Sequence, residues 1–338
     1  ITWERVLLIA ILSLLALLGA AQDPAAAHQD ALEKITVGDN AATVASLELM
    51  PDGHTLLVSA AKDQPIRVVD VSDWKVTRTI AVNGYPGGPD VKASAKGAYL
   101  LLRKRYIADW NMNRDQTVRY EVLDFASGRT LFTIANAHDV RIAPDEKSLY
   151  ALEGENVTVR SLPDGNEISR IVVPLTRSSL AISPDGKLIA VSHRPTQPQL
   201  ETVPSMRNDK RGLKPALKYR EMVSVFNVAD GKLVGTIAEI YDVIYTMGFT
   251  PSGDRLLIYS IPDSRFNQGT AALSAPTRQG IVNTVAMPTM EALRIGFMSA
   301  MNEPQLELNA AADRLALAST EGFNRRKLYV YDTATGDF

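Results

Sequence analysis

One short phrase recurs six times along this chain, and it limits the possible folds more than any other feature. The six copies are PDGHTL (51–56), AKGAYL (95–100), PDEKSL (144–149), PDGKLI (184–189), PSGDRL (251–256) and AAADRL (310–315). Pro-Asp-Gly is tight-turn chemistry. Proline presets φ, aspartate bonds the backbone ahead of it, and glycine accepts a positive φ. An apolar residue always stands five places after the first. Each copy therefore predicts a strand that enters, reverses and returns as a buried strand.

A third strand follows in every unit: IRVVDV (66–71), VRYEVLDF (118–125), VTVRSL (157–162), MVSVFNV (222–228), VNTVAM (282–287) and LYVYDT (328–333). Further turn signals come next, as in ASG (126–128), PDG (163–165), ADG (229–231) and ATG (334–336). Fourth strands then appear, such as KVTRTIAV (75–82) and EISRIVV (167–173). Four antiparallel strands at a period near forty residues predict an all-β fold, a β-propeller of four-stranded blades. The last unit stops before its fourth strand. EKITVG (33–38), ahead of the first unit, reads like a fourth strand. Its addition to the last blade would close a ring of six and remove two exposed sheet edges. Six blades and seven both remain open.

SPDGKLIAVS (183–192) followed by VFNVADGKLVGTI (225–237) resembles the YVTN/WD40-like repeats of bacterial secreted or membrane-anchored β-propellers. The resemblance covers residues 33–338. It departs from eukaryotic WD40 repeats, whose Trp-Asp dipeptide is absent. It implies a propeller and says little about function, because propellers host binding, scaffolding and catalysis alike.

Ahead of the repeats, RVLLIAILSLLALLGAA (5–21) carries an apolar run from Val6 to Leu18 broken only by Ser13. This predicts an N-terminal hydrophobic helix over residues 1–21, either a signal peptide cut after Ala21 or a retained transmembrane anchor. Residues 22–32 read as a linker. Both alternatives place the propeller on the periplasmic or extracytoplasmic side. The chain has no cysteine, which excludes disulfides, thiolate metal sites and cysteine nucleophiles. A formal charge of -2 over 338 residues argues against nucleic acid as a partner of the whole molecule.

Spacing between successive turns varies, and the excess falls between second and third strands: residues 103–115, 193–220 and 261–280. Connections this long are usually functional or disordered. The stretch 193–220 carries seven Lys or Arg against two acids, with four prolines that limit regular structure. The stretch 103–114 carries four basic residues against one acid. Arginine with exposed aromatics is the composition of interface hot spots. Arg103, Lys104, Arg105, Tyr106, Trp110, Arg207, Lys210, Arg211, Lys214, Lys218 and Arg220 are therefore the expected partner-binding residues.

Catalytic patterns are sparse. Four histidines occur, His28, His54, His138 and His193, and no pair has metal-ligand spacing. No nucleophile elbow or phosphate loop is present. Asp90, His138, Asp139, Arg177 and Glu303 fall at starts of inner strands, the position of a channel-mouth ligand or lactonase-like site in a propeller. Met287, Met290, Met298 and Met301 read as adaptable packing rather than a copper site. No cofactor and no metal is expected. The sequence thus leads to a non-enzymatic interaction module, an accessory subunit of a membrane complex. A channel-mouth enzyme or ligand binder stays open, as does a soluble periplasmic propeller tied to quinoprotein or redox metabolism, which the resemblance implies.

Overall fold

The computed structural model describes residues 44–104, 117–173, 176–209, 211–241, 243–261, 279–299, 302–308, 314–321 and 325–332. Among these the architecture is all-β, with five four-stranded antiparallel sheets and one three-stranded sheet, each resembling a propeller blade. The strands run in chain order within each sheet. The first sheet is β1 (Val44–Leu49), β2 (Thr55–Ala60), β3 (Ile66–Asp70) and β4 (Lys75–Ile80). The second is β5 (Pro89–Ala93), β6 (Tyr99–Lys104), β7 (Val118–Asp124) and β8 (Thr130–Ala137). The third is β9 (Val140–Ile142), β10 (Ser148–Glu153), β11 (Asn156–Ser161) and β12 (Glu167–Val172).

The fourth sheet is β13 (Thr176–Ile182), β14 (Leu188–His193), β15 (Met222–Asn227) and β16 (Leu233–Thr236). The fifth is β17 (Val243–Phe249), β18 (Arg255–Ile261), β19 (Gln279–Ala286) and β20 (Ala292–Ser299). The sixth holds β21 (Asn302–Leu308), β22 (Arg314–Glu321) and β23 (Arg325–Asp332). The chain divides into two compact units. One holds the first two sheets and the other the remaining four, with the end of β8 assigned to the second.

The recurring turn has one geometry. Gly53 donates its N–H to the Met50 carbonyl at 3.0 Å while Met50 donates to the Thr55 carbonyl at 2.8 Å. The same pair of bonds joins Ser94, Gly97 and Tyr99, then Ala143, Glu146 and Ser148, and recurs at Ser183–Leu188 and Thr250–Arg255. The fourth turn residue always has a positive φ, between 61° and 79°, which is why glycine holds it in four of the five described copies. Asp52 fixes the turn from its side chain, accepting the N–H groups of His54 and Thr55 at 2.8 and 2.9 Å.

The apolar runs after these turns are buried on both faces, as the second strand of a sheet between two neighbours must be. Along β2, Leu57 joins one core and Leu56 with Val58 joins another. Along β14, Ile189 and Val191 face the third sheet's core while Ala190 faces the core shared with the fifth. Each such side chain contributes about 1.5–3 kcal/mol of burial.

The connection at 193–220 departs from expectation. It contains α1 (Gln197–Thr202) and α2 (Leu213–Tyr219). Pro198 and Pro215 lie in the first turns of these helices, where a missing N–H breaks no helical bond. His193 is the last residue of β14, and Arg103 and Lys104 end β6, so these three belong to strands rather than loops. The strand predicted at 33–38 and the helix predicted at 1–21 lie outside the described residues.

Candidate functional site

The insertion between β14 and β15 is built as a small domain of its own. Leu200 and Val203 from the α1 side meet Ala216 of α2 and Met222 of β15, and all four are fully buried. Met206, Leu213 and Leu217 complete this core. The Gln199 side-chain oxygen accepts the N–H of Thr196 at 2.9 Å and its hydroxyl at 3.0 Å, which starts α1. Asp209 accepts the N–H groups of Arg211 and Gly212, which leads into α2. A Cβ on Gly212 would stand 2.3 Å from the Asp209 carboxylate, so a side chain here would push that carboxylate out of the turn. At the base, the buried Arg194 guanidinium donates to the Arg220 carbonyl at 3.0 Å. Glu221 and Tyr241 exchange backbone bonds at 2.8 Å and tie the insertion to the chain entering the fifth sheet.

The cations lie outward. Arg207, Arg211, Lys214 and Lys218 are exposed, and Arg220 is half-buried. Lys218 stands 5.0 Å from the ring centre of Tyr219. Arg103 and Lys104 are also exposed, at the end of β6 in the first unit. Arg105, Tyr106, Trp110 and Lys210 lie outside the described residues.

Beneath the insertion runs a hydrogen-bonded chain that the sequence did not single out. His193, only 4% exposed, bonds the Arg194 carbonyl through Nδ1 at 2.8 Å and Ser224 Oγ through Nε2 at 2.7 Å. A carbonyl partner makes Nδ1 the donor, so the neutral ring accepts the Ser224 hydroxyl at Nε2. Ser224 in turn meets Thr236 Oγ1 at 2.7 Å. Burial holds the His193 pKa below its ordinary value. Ser224 is 2% exposed, which makes this a structural tie between β14, β15 and β16 rather than a nucleophile open to substrate.

The inner-strand residues have structural partners. Asp139 Oδ2 accepts the N–H of Leu180, in the next sheet, at 3.0 Å and the Arg141 guanidinium at 3.1 Å, while Oδ1 accepts its neighbour's N–H. In the first unit Ser46 holds the same repeat position. Its hydroxyl accepts the N–H of Val91, the counterpart of Leu180, at 3.0 Å. This polar position thus stitches one sheet to the next. His138 donates its N–H to the Leu152 carbonyl at 2.8 Å. His138 and Arg177 are half-buried, and Arg177 lies on β13. Asp90 is half-buried on β5 of the first unit. Glu303 lies on β21. Met287 and Met290 pack on the core between the fourth and fifth sheets. Met298 lies on β20, and Met301 falls outside the described residues. Among the described residues no cluster of His, Asp or Glu could hold a metal ion, and no helix is long and apolar enough to cross a membrane.

No family model matches the chain, and no curated protein does. Among solved structures it is similar to Kuenenia stuttgartiensis hydrazine synthase, with a TM-score of 0.57 and 15% identity over 83% of this chain and 75% of that one. At that identity the likeness is one of fold: series of four-stranded antiparallel sheets arranged as propeller-like blades.

Proposed function

We propose that this chain is a six-bladed propeller, closed by the strand at 33–38, that acts as a non-enzymatic interaction module on the extracytoplasmic side of a membrane, as an accessory subunit of a larger complex. Residues 1–21 would deliver or anchor it there. One contrast carries the reading. The third sheet joins its second and third strands through two residues, Gly154 and Glu155, whereas the fourth makes the same connection through residues 194–221. Both pairs of strands keep an unbroken antiparallel register. The pairing of these two strands therefore does not need the insertion. The insertion has its own buried core and presents basic side chains, which supports a role in contact with another protein.

The test is to replace residues 195–219 with a short turn copied from Gly154–Glu155 and to compare proteins recovered with each chain from native membranes by mass spectrometry. The shortened chain is expected to fold and to lose a specific partner. Recovery of the same proteins with both chains would overturn the reading.

A further inference from the structure

We infer that the exposed face of α2 and of the turn before it docks an acidic segment of a protein partner, an inference that rests on the reading of the chain as an interaction module. The argument begins with charge compensation. Three exposed lysines on the blade turns are paired locally, Lys75 with Asp73 at 2.7 Å, Lys187 with Asp185 at 3.3 Å and Lys232 with Asp230 at 3.1 Å, while Lys62 and Lys147 stand as single charges among the described residues. Arg207, Arg211 and Lys214 are as exposed, yet among the described residues none of them forms an ion pair. The one carboxylate in their midst, Asp209, points its oxygen at backbone N–H groups instead. Arg207, Arg211 and Lys214 thus gather positive charge between residues 207 and 214 and leave it available to something else.

The spacing limits what that partner can be. Lys214 and Lys218 stand one helical turn apart on one face of α2, about 6 Å along its axis. Carboxylates four residues apart on a helix match that interval. So do carboxylates two apart on an extended chain, at about 6.8 Å. The platform beneath is rigid, because Leu200, Val203 and Ala216 are fully buried and Arg194 and Glu221 tie its base. A partner meeting a preformed surface avoids most of the ordering cost.

An anionic bilayer fits less well. A helix that binds at a membrane surface inserts large apolar side chains. None of the exposed large apolar residues lies within 194–221, because those of α1 and α2 face the insertion's own core. Nucleic acid fits less well again. A few cations on a chain of net charge -2 are a small footprint for a polyphosphate.

The probes are a fluorescent peptide of alternating Glu and Ala, its Gln–Ala counterpart, vesicles rich in phosphatidylglycerol, and single-stranded DNA. The full chain is expected to bind the acidic peptide, more weakly as salt rises, and to ignore the Gln–Ala peptide. The triple variant R211S/K214S/K218S is expected to bind it about tenfold more weakly with an unchanged melting temperature. Equal binding by both chains, preference for vesicles or DNA, or no binding would each overturn the inference. The wider reading is tested separately. If the triple variant still recovers the native partner and the shortened chain does not, the insertion docks a protein by some chemistry other than acidic pairing.

Discussion

The Asp139 carboxylate reaches from the third sheet to accept the backbone N–H of Leu180 in the fourth, at 3.0 Å. In the first unit Ser46 does the same for Val91. One repeat position therefore supplies the acceptor that joins neighbouring blades, as a hydroxyl in one case and a carboxylate in the other.

Loss of that acceptor should be costly. Asp139→Leu leaves the buried Leu180 N–H and the Arg141 guanidinium without it, a penalty of about 1–3 kcal/mol. Asp139→Asn keeps an acceptor oxygen and is expected to lose less. Urea unfolding of both variants checks this. If Asp139→Leu proved as stable as the natural chain, the interblade bond would carry no net weight.

Among the five described copies of the recurring turn, one is a misfit. Glu146 occupies the left-handed position, φ 61°, where four other copies have glycine. A side chain there costs about 1–2 kcal/mol, partly offset because glycine loses more entropy on folding. Glu146→Gly should stabilise the chain by about 0.5–1 kcal/mol. A drop in stability would mean that the Glu146 side chain makes contacts worth more than the strain.

His193 gives a pH dependence with a definite sign. Burial lowers its folded pKa below 6.5, so below that value the unfolded chain binds a proton that the folded chain refuses. This contribution to stability is present above pH 6.5 and lost as pH falls toward the folded pKa. His193→Gln keeps a donor and an acceptor but cannot titrate. Its stability should be flatter as pH falls below about 6.5. Parallel curves for the two chains would show that other groups set the slope.

The turns and strands were legible because their chemistry is local. Pro-Asp-Gly and the apolar residue five places on are sufficient to place a hairpin. The helices of the insertion were harder to see, because the count of prolines suggested irregular chain. Position rather than number decides, and Pro198 and Pro215 stand where helices tolerate proline. Thr196 followed three residues later by Gln199 is a capping signature that could have revealed α1. The His193–Ser224–Thr236 chain was not legible, since it joins three strands whose pairing only the register of β14, β15 and β16 defines. The acids of the inner strands were legible as polar positions. That Asp139 serves a neighbouring sheet's backbone was not, because the sequence does not say which N–H groups the turn leaves unpaired.

Closure of the ring is open to direct test. β23 pairs with β22 on one side, and Val330 on it is 42% exposed. Among the described residues nothing pairs with the other side of β23, which the segment 33–38 is proposed to cover with the backbone bonds that fourth strands make elsewhere. A chain beginning near Asp30 keeps the strand, and one beginning at residue 41 does not. The shorter chain is expected to melt several degrees lower, at about 2–4 °C per kcal/mol for a domain of this size, and to aggregate through its bare edges. A synthetic peptide spanning residues 30–40, added in excess, should raise the melting temperature by mass action. Equal melting of the two chains, with no effect of the peptide, would assign the closing role to another segment.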